Sequence, residues 1–151
     1  MAMIIRGVST CPLCQQILTD PIFATSHFID DKDHPLSRYS DAAMHWDCYA
    51  KWPHQAEFAA MYFETDVAIS RLAHMSQYWA VLWQSSEALV TSGLAINMVA
   101  IKVKKSGTDM RVARKAWDTW LADGWRDTCA HELETAAIAE LLPQLRCLTL
   151  P

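Results

Sequence analysis

The chain has 151 residues, 52% hydrophobic and 20% charged, with a formal net charge of −4 and a sequence pI near 5.8. A chain of this length and apolar content can bury a sizeable core, and its acidic balance disfavours general nucleic-acid binding because a phosphate backbone repels it. The N-terminal apolar stretch is short and Arg6 interrupts it, so neither a secretory signal nor a membrane span is expected.

Taken from the N-terminus, Met3 to Val8 reads as a first strand, and two short motifs follow: Cys11-Pro12-Leu13-Cys14 and His45-Trp46-Asp47-Cys48. Each motif separates its ligands by two residues, which lets both side chains reach one ion. Three thiolates with one imidazole suit tetrahedral Zn²⁺. The expected site is therefore one structural zinc held by Cys11, Cys14, His45 and Cys48, with His27 and His34 remaining as alternatives to His45. Three of the five cysteines fall in this set, leaving Cys129 and Cys147 as distant, unligated thiols. A thioredoxin-like dithiol is disfavoured, since a redox CxxC belongs between a strand and a helix of a βαβ unit.

The spacing predicts a knuckle at Cys11 and Cys14, a hairpin through Pro21 to Ala24, and a polar loop carrying Asp30, Asp31, Asp33, His34 and Pro35. His45 and Cys48 then open a helix whose N-terminal dipole favours a bound thiolate. Cys11-Pro12-Leu13-Cys14 followed by Ile17-Leu18-Thr19-Asp20-Pro21-Ile22 resembles the opening of a RING finger, and His45-x-x-Cys48 resembles part of the first zinc site of a LIM domain. The resemblance spans residues 4–64. Those families bind two zinc ions through eight ligands, and the second set is missing here. What the resemblance implies is a treble-clef-like zinc module used for scaffolding or protein contact.

Downstream, Trp46 to Lys51 reads as a short helix that Pro53 interrupts or restarts. From His54, apolar residues at Phe58, Met61, Tyr62, Thr65, Ile69 and Leu72 predict an amphipathic helix broken near Asp66. Trp79, Val81 and Trp83 alternate as a strand, Ser85 to Glu87 turns, and Ala88 to Thr91 is a second strand. Asn97 to Lys105 and Met110 to Val112 complete a small antiparallel meander. Helices are expected from Ala113 to Ala122, stopped by Asp123-Gly124, and from Thr128 to Leu142, stopped by Pro143. The fold class is thus α+β. One compact unit over residues 1–151 is expected, with a zinc module and following helix over 4–64 and a sheet plus C-terminal helices over 77–151.

Catalytic templates are absent. A closed Cys₃His set leaves no open position for an activated water. His131-Glu132 begins an HExxH pattern, but position 135 is Thr. Four glycines build no glycine-rich phosphate cradle, and no GxSxG is present. Lys102 to Lys115 holds six basic residues; alternation of Lys102 and Lys104 with Ile101 and Val103 reads as a half-buried strand, with an acid- or phosphate-binding patch as the alternative. The seven tryptophans read as core, with a recognition surface as the alternative. The expected function is a non-enzymatic, cytoplasmic protein that binds another, basic protein, in the manner of an immunity or antitoxin-type inhibitor. The rivals are a nucleic-acid-associated or regulatory zinc-finger protein and a divergent treble-clef nuclease. Oligomeric state is not legible.

Overall fold

The computed structural model describes residues 3–72, 75, 77–93 and 97–150. Contacts divide the chain into two compact units, Met1–Phe58 and Ala59–Pro151. Helices and two antiparallel sheets make it a mixed α+β protein, as its alternating patterns predict.

In the first unit, residues 3–8 do not form the expected strand. Gly7 at φ +76° lies in a turn there, and the amides of Val8 and Ser9 both return to the Ile5 carbonyl. The cysteine knuckle instead rests on its own tight hairpin, bridged at Thr10 and Ile17. Strand β1 (Ile22–Ala24) pairs with β2 (Ala43–His45), with Phe23 opposite Met44. The hairpin expected through Pro21 to Ala24 is therefore closed over a long loop, not locally. Two bonds to Ser40 Oγ hold that loop, from the amides of Phe28 (2.8 Å) and Ile29 (3.1 Å). Helix α1 (Trp46–Ala50) follows β2 directly. Under these elements Phe23 stacks on Tyr49 at 3.7 Å, with Trp46 edge-on to both. Phe58, from the start of α2 (Gln55–Ser70), meets Phe28, Tyr49 and Trp52. Aromatic edges and faces attract as well as bury area, so this cluster is the apolar floor of the unit.

The rest of α2 belongs to the second unit and runs unbroken through Asp66. The break expected there does not occur because Asp66 has a use: its carboxylate lies 2.7 Å from Lys102 Nζ. Four strands follow in meander order, β3 (Trp79–Gln84), β4 (Ala88–Gly93), β5 (Met98–Val103) and β6 (Thr108–Ala113). The Ser85 hydroxyl caps the first turn by accepting from the amides of Glu87 and Ala88, each at 3.1 Å. A register shift between Val81 and Trp83 breaks the expected alternation of β3. A bulge re-aims side chains, so Val81 is exposed while Leu82 and Trp83 pack on the core. In β5, Ile101 and Val103 are buried as predicted, whereas Lys102 is not solvated: its side chain is only 17% exposed, between Asp66 and Asp109.

The helix expected to stop at Gly124 continues to Thr128. A 3₁₀ turn (Arg114–Ala116) leads into α3 (Trp117–Thr119), a π-turn (Trp120–Gly124) and α4 (Trp125–Thr128). Gly124 is a weak stop, and the widened turn keeps Trp125 in the core beside Trp117, Trp120 and Leu121. The last helix, α5, spans Glu132–Leu145 with Pro143 inside it. Proline there removes one late helical bond, a smaller cost than exposing Leu142 and Leu145, both buried. Trp46, Trp117, Trp120 and Trp125 are buried, so tryptophan serves mainly as core.

Candidate metal centre

The two cysteine/histidine motifs converge. Cys11 Sγ, Cys14 Sγ, Cys48 Sγ and one ring nitrogen of His45 all lie within 4.8 Å of one another, and among the described residues no other group of three or more such side chains does so. The knuckle brings the first pair together because the Cys11 amide donates to the Gln16 carbonyl and the Gln15 amide to the Cys11 carbonyl, both at 2.8 Å. Closing that turn puts Gln15 at φ +65°. The second pair is set by helical spacing: His45 is the residue before the first turn of α1, and Cys48 lies three residues on.

A tetrahedron with Zn–S near 2.3 Å and Zn–N near 2.05 Å has S···N edges of about 3.6 Å. Here Nδ1 of His45 lies 3.4 Å from Cys14 Sγ and 3.8 Å from Cys48 Sγ, either side of that value. The donor set therefore fits a metal ion of zinc's size and softness, with Nδ1 as the ligating nitrogen. The other ring nitrogen, Nε2, lies 3.1 Å from the Ile17 carbonyl and 3.2 Å from the Thr19 amide. Those neighbours ask for opposite tautomers. Ligation through Nδ1 places the proton on Nε2, which then donates to Ile17, the outer-shell bond that fixes ring orientation in metal sites.

Electrostatics points the same way. Burial raises the Cys11 thiol, but hydrogen bonds from the backbone of Cys14, His45 and Leu13 outweigh it and leave it lowered to about 7. Cys48 is pushed up to about 11, first by burial and then by its hydrogen bond to Cys14 and the charges of Cys11 and Cys14. One thiolate forms readily and the next resists, because like charges crowd a small volume. A bound dication removes that repulsion.

The other sequence candidates lie elsewhere. His27 faces Asp30 at 3.2 Å, and His34 Nδ1 accepts from the Leu36 amide at 3.1 Å, so neither joins the cluster. Cys129 precedes the last helix, and its thiol donates to the Trp125 carbonyl at 3.2 Å. Cys147 donates to the Pro143 carbonyl at 3.3 Å. His131 is the N-cap of α5, accepting from the Leu133 amide, and Glu134 returns to the Ala130 amide. The Ile17 and Thr19 backbone contacts to His45 carried no sequence signal.

No protein-family model, curated protein or solved structure matches this chain. The fold and site define an α+β protein whose N-terminal region carries a Cys₃His cluster able to hold one metal ion. Among the described residues no helix is long and apolar enough to cross a membrane.

Proposed function

We propose that Cys11, Cys14, His45 and Cys48 hold one zinc ion in a structural role, and that the protein acts without catalysis, by binding another protein. The observation that carries this reading is the closed donor set: four protein ligands complete a tetrahedron and leave no position at which water could be activated. A cysteine knuckle, a two-stranded antiparallel sheet and a helix carrying the second ligand pair are the parts of a treble clef, which supports a module resembling the first half of a RING or LIM domain. Apolar side chains exposed around the knuckle, Met3, Ile5, Val8 and Ile17, favour contact with a protein surface.

The net charge of −4 favours a basic partner, as for an immunity or antitoxin-type inhibitor, in a reducing compartment such as the cytoplasm. Nucleic acid is the weaker reading, because most of the basic run from Lys102 to Arg111 is already paired with acids of its own unit. In the acidic loop, Asp31 accepts from the Asp33 amide at 2.9 Å, a turn-forming use; Asp30 lies beside His27. Asp30, Asp31 and Asp33 changed together to Asn are expected to slow association with the captured partner and flatten its salt dependence, read by association kinetics at two salt concentrations. An unchanged association rate removes the loop from the interface, and zinc-dependent cleavage of nucleic acid by purified protein overturns the non-catalytic reading.

A further inference from the structure

The basic run from Lys102 to Lys115 is not uniform. Lys102 lies between Asp66 and Asp109, Lys104 meets Glu64 at 2.9 Å, Lys105 meets Glu140 at 2.5 Å and Arg111 approaches Asp109 at 3.5 Å. Among the described residues, Arg114 and Lys115 have no acidic partner of this kind. Both line one cavity of about 530 Å³, walled also by Asn97, Trp117, Asp118 and residues 148–150. The cavity sits where the chain leaves β6, and its corner is fixed: the Arg114 amide donates to the Asn97 carbonyl at 3.0 Å, with Asn97 held at φ +51°.

Two further observations bear on what would fill it. Trp117 is 2% exposed, and its indole Nε1 has no hydrogen-bond acceptor among the described residues. That nitrogen is sealed from solvent, so Trp117 can meet an occupant only through the apolar surface of its ring. Among the described residues the lining carries two cations and one carboxylate, leaving one positive charge to be balanced. Leu148 and Leu150, packed partly on the core, supply apolar wall on the tail side.

We propose that this cavity binds a small organic acid, its single carboxylate held by Arg114 and Lys115 and its apolar or aromatic body seated against Trp117 and residues 148–150. A guanidinium fork matches a carboxylate with two parallel bonds, and the volume falls in the range of small-molecule sites. A monoanion balances the lining, whereas a phosphate dianion would add surplus charge beside Asp118. The site is independent of the metal centre, so its failure leaves the zinc reading untouched.

The test is titration of the full zinc-loaded chain with benzoate, hexanoate, inorganic phosphate and hexylamine, followed by calorimetry and by the indole N–H resonances, with that of Trp117 assigned through Trp117→Phe. Benzoate or hexanoate is expected to bind saturably at roughly millimolar concentration and to shift the Trp117 resonance. Arg114→Gln is expected to weaken binding about tenfold or more, with Lys115→Gln less severe and Arg114→Lys intermediate. Arg114 is half-buried and Lys115 exposed, and the remaining indole resonances report whether each variant is folded. Absence of saturable binding by both acids, equal affinity in Arg114→Gln and Lys115→Gln, or phosphate binding as tightly as benzoate overturns the proposal.

Discussion

Replacing Cys14 by Ser should release the metal and unravel the first unit, while replacing Cys129 should do neither. The elements around the cluster are too short to stand alone: two three-residue strands and a five-residue helix. Isolated two-stranded hairpins and helices under about 12 residues are marginal in water, so the unit depends on its aromatic floor and, with the proposed zinc bound, on that ion. Structural zinc supplies roughly 10–16 kcal/mol of apparent binding free energy in peptide systems. Shared over four donors, that is about 3 kcal/mol for each, or roughly a hundredfold in metal affinity. Cys14 faces His45 Nδ1 at 3.4 Å, so its loss opens one vertex of the tetrahedron directly. Cys129 bonds to the Trp125 carbonyl and the Thr135 hydroxyl, outside the cluster. Native mass spectrometry counts bound zinc, chelator competition reads affinity, and amide spectra report order in residues 3–58. Wild type and Cys129→Ser are expected to carry one zinc with equal resistance to chelator, and Cys14→Ser to lose it about a hundredfold more easily. Equal zinc content and equal chelator resistance in all three proteins would falsify the assignment.

In the zinc-loaded protein, nitrogen-edited NMR of His45 should show the proton on Nε2, since Nδ1 faces the thiols and the Ile17 carbonyl lies 3.1 Å from Nε2; a proton on Nδ1 would contradict ligation by that atom. Lys102→Met should destabilise by about 3–5 kcal/mol in urea unfolding, because it strands Asp66 and Asp109 together at 17% and 20% exposure. Adding Asp66→Leu to Lys102→Met should recover part of that loss, and a single-variant cost under about 1 kcal/mol would show the cluster to be solvent-screened. Burial raises the Glu134 carboxyl above its ordinary value, against hydrogen bonds from the Ala130 amide and Thr108 and the charge of His131. The folded protein then holds that proton more tightly than the unfolded chain, so the contribution is fully present below the ordinary Glu value and is lost as pH rises through the folded one. Unfolding free energies of wild type should accordingly fall relative to Glu134→Gln as pH rises from about 4, the ordinary Glu value, through the raised value of the folded state, by about 1.4 kcal/mol for every tenfold by which folding tightens the hold on that proton; parallel curves refute the burial argument.

The Cys₃His cluster was legible from the chain because its chemistry is local: Cys11 with Cys14, and His45 with Cys48, each sit at a spacing that a single turn can close. The β5 strand and the burial of Ile101 and Val103 were legible too, since period-two alternation records which face meets the core. Local readings went wrong where a distant contact outweighed a weak local signal. Asp66 reads as a helix break, yet pairing with Lys102, 36 positions away, gives it a place in α2. Gly124 and Pro143 read as stops, yet burial of Trp125, Leu142 and Leu145 carries the helical segments past both. The run from Met3 to Val8 suggests a strand, but among the described residues no strand pairs with it and residues 6–8 form a turn, with the side chains exposed.

Residue type and short spacing alone pointed to Cys11, Cys14 and Cys48 with a histidine, His45 or in its place His27 or His34, as a cluster able to hold a metal ion, and to a protein that mixes helix and sheet. Only the tertiary structure decided which ring nitrogen of His45 faces the thiols, which acids neutralise Lys102, Lys104, Lys105 and Arg111, and which two cations remain to line a cavity beside Trp117. The division has a physical cause. Ligand spacing and hydrophobic period act over one or two turns of chain, whereas tautomer, ion pairing and cavity shape depend on groups that only folding brings within a few ångströms of one another.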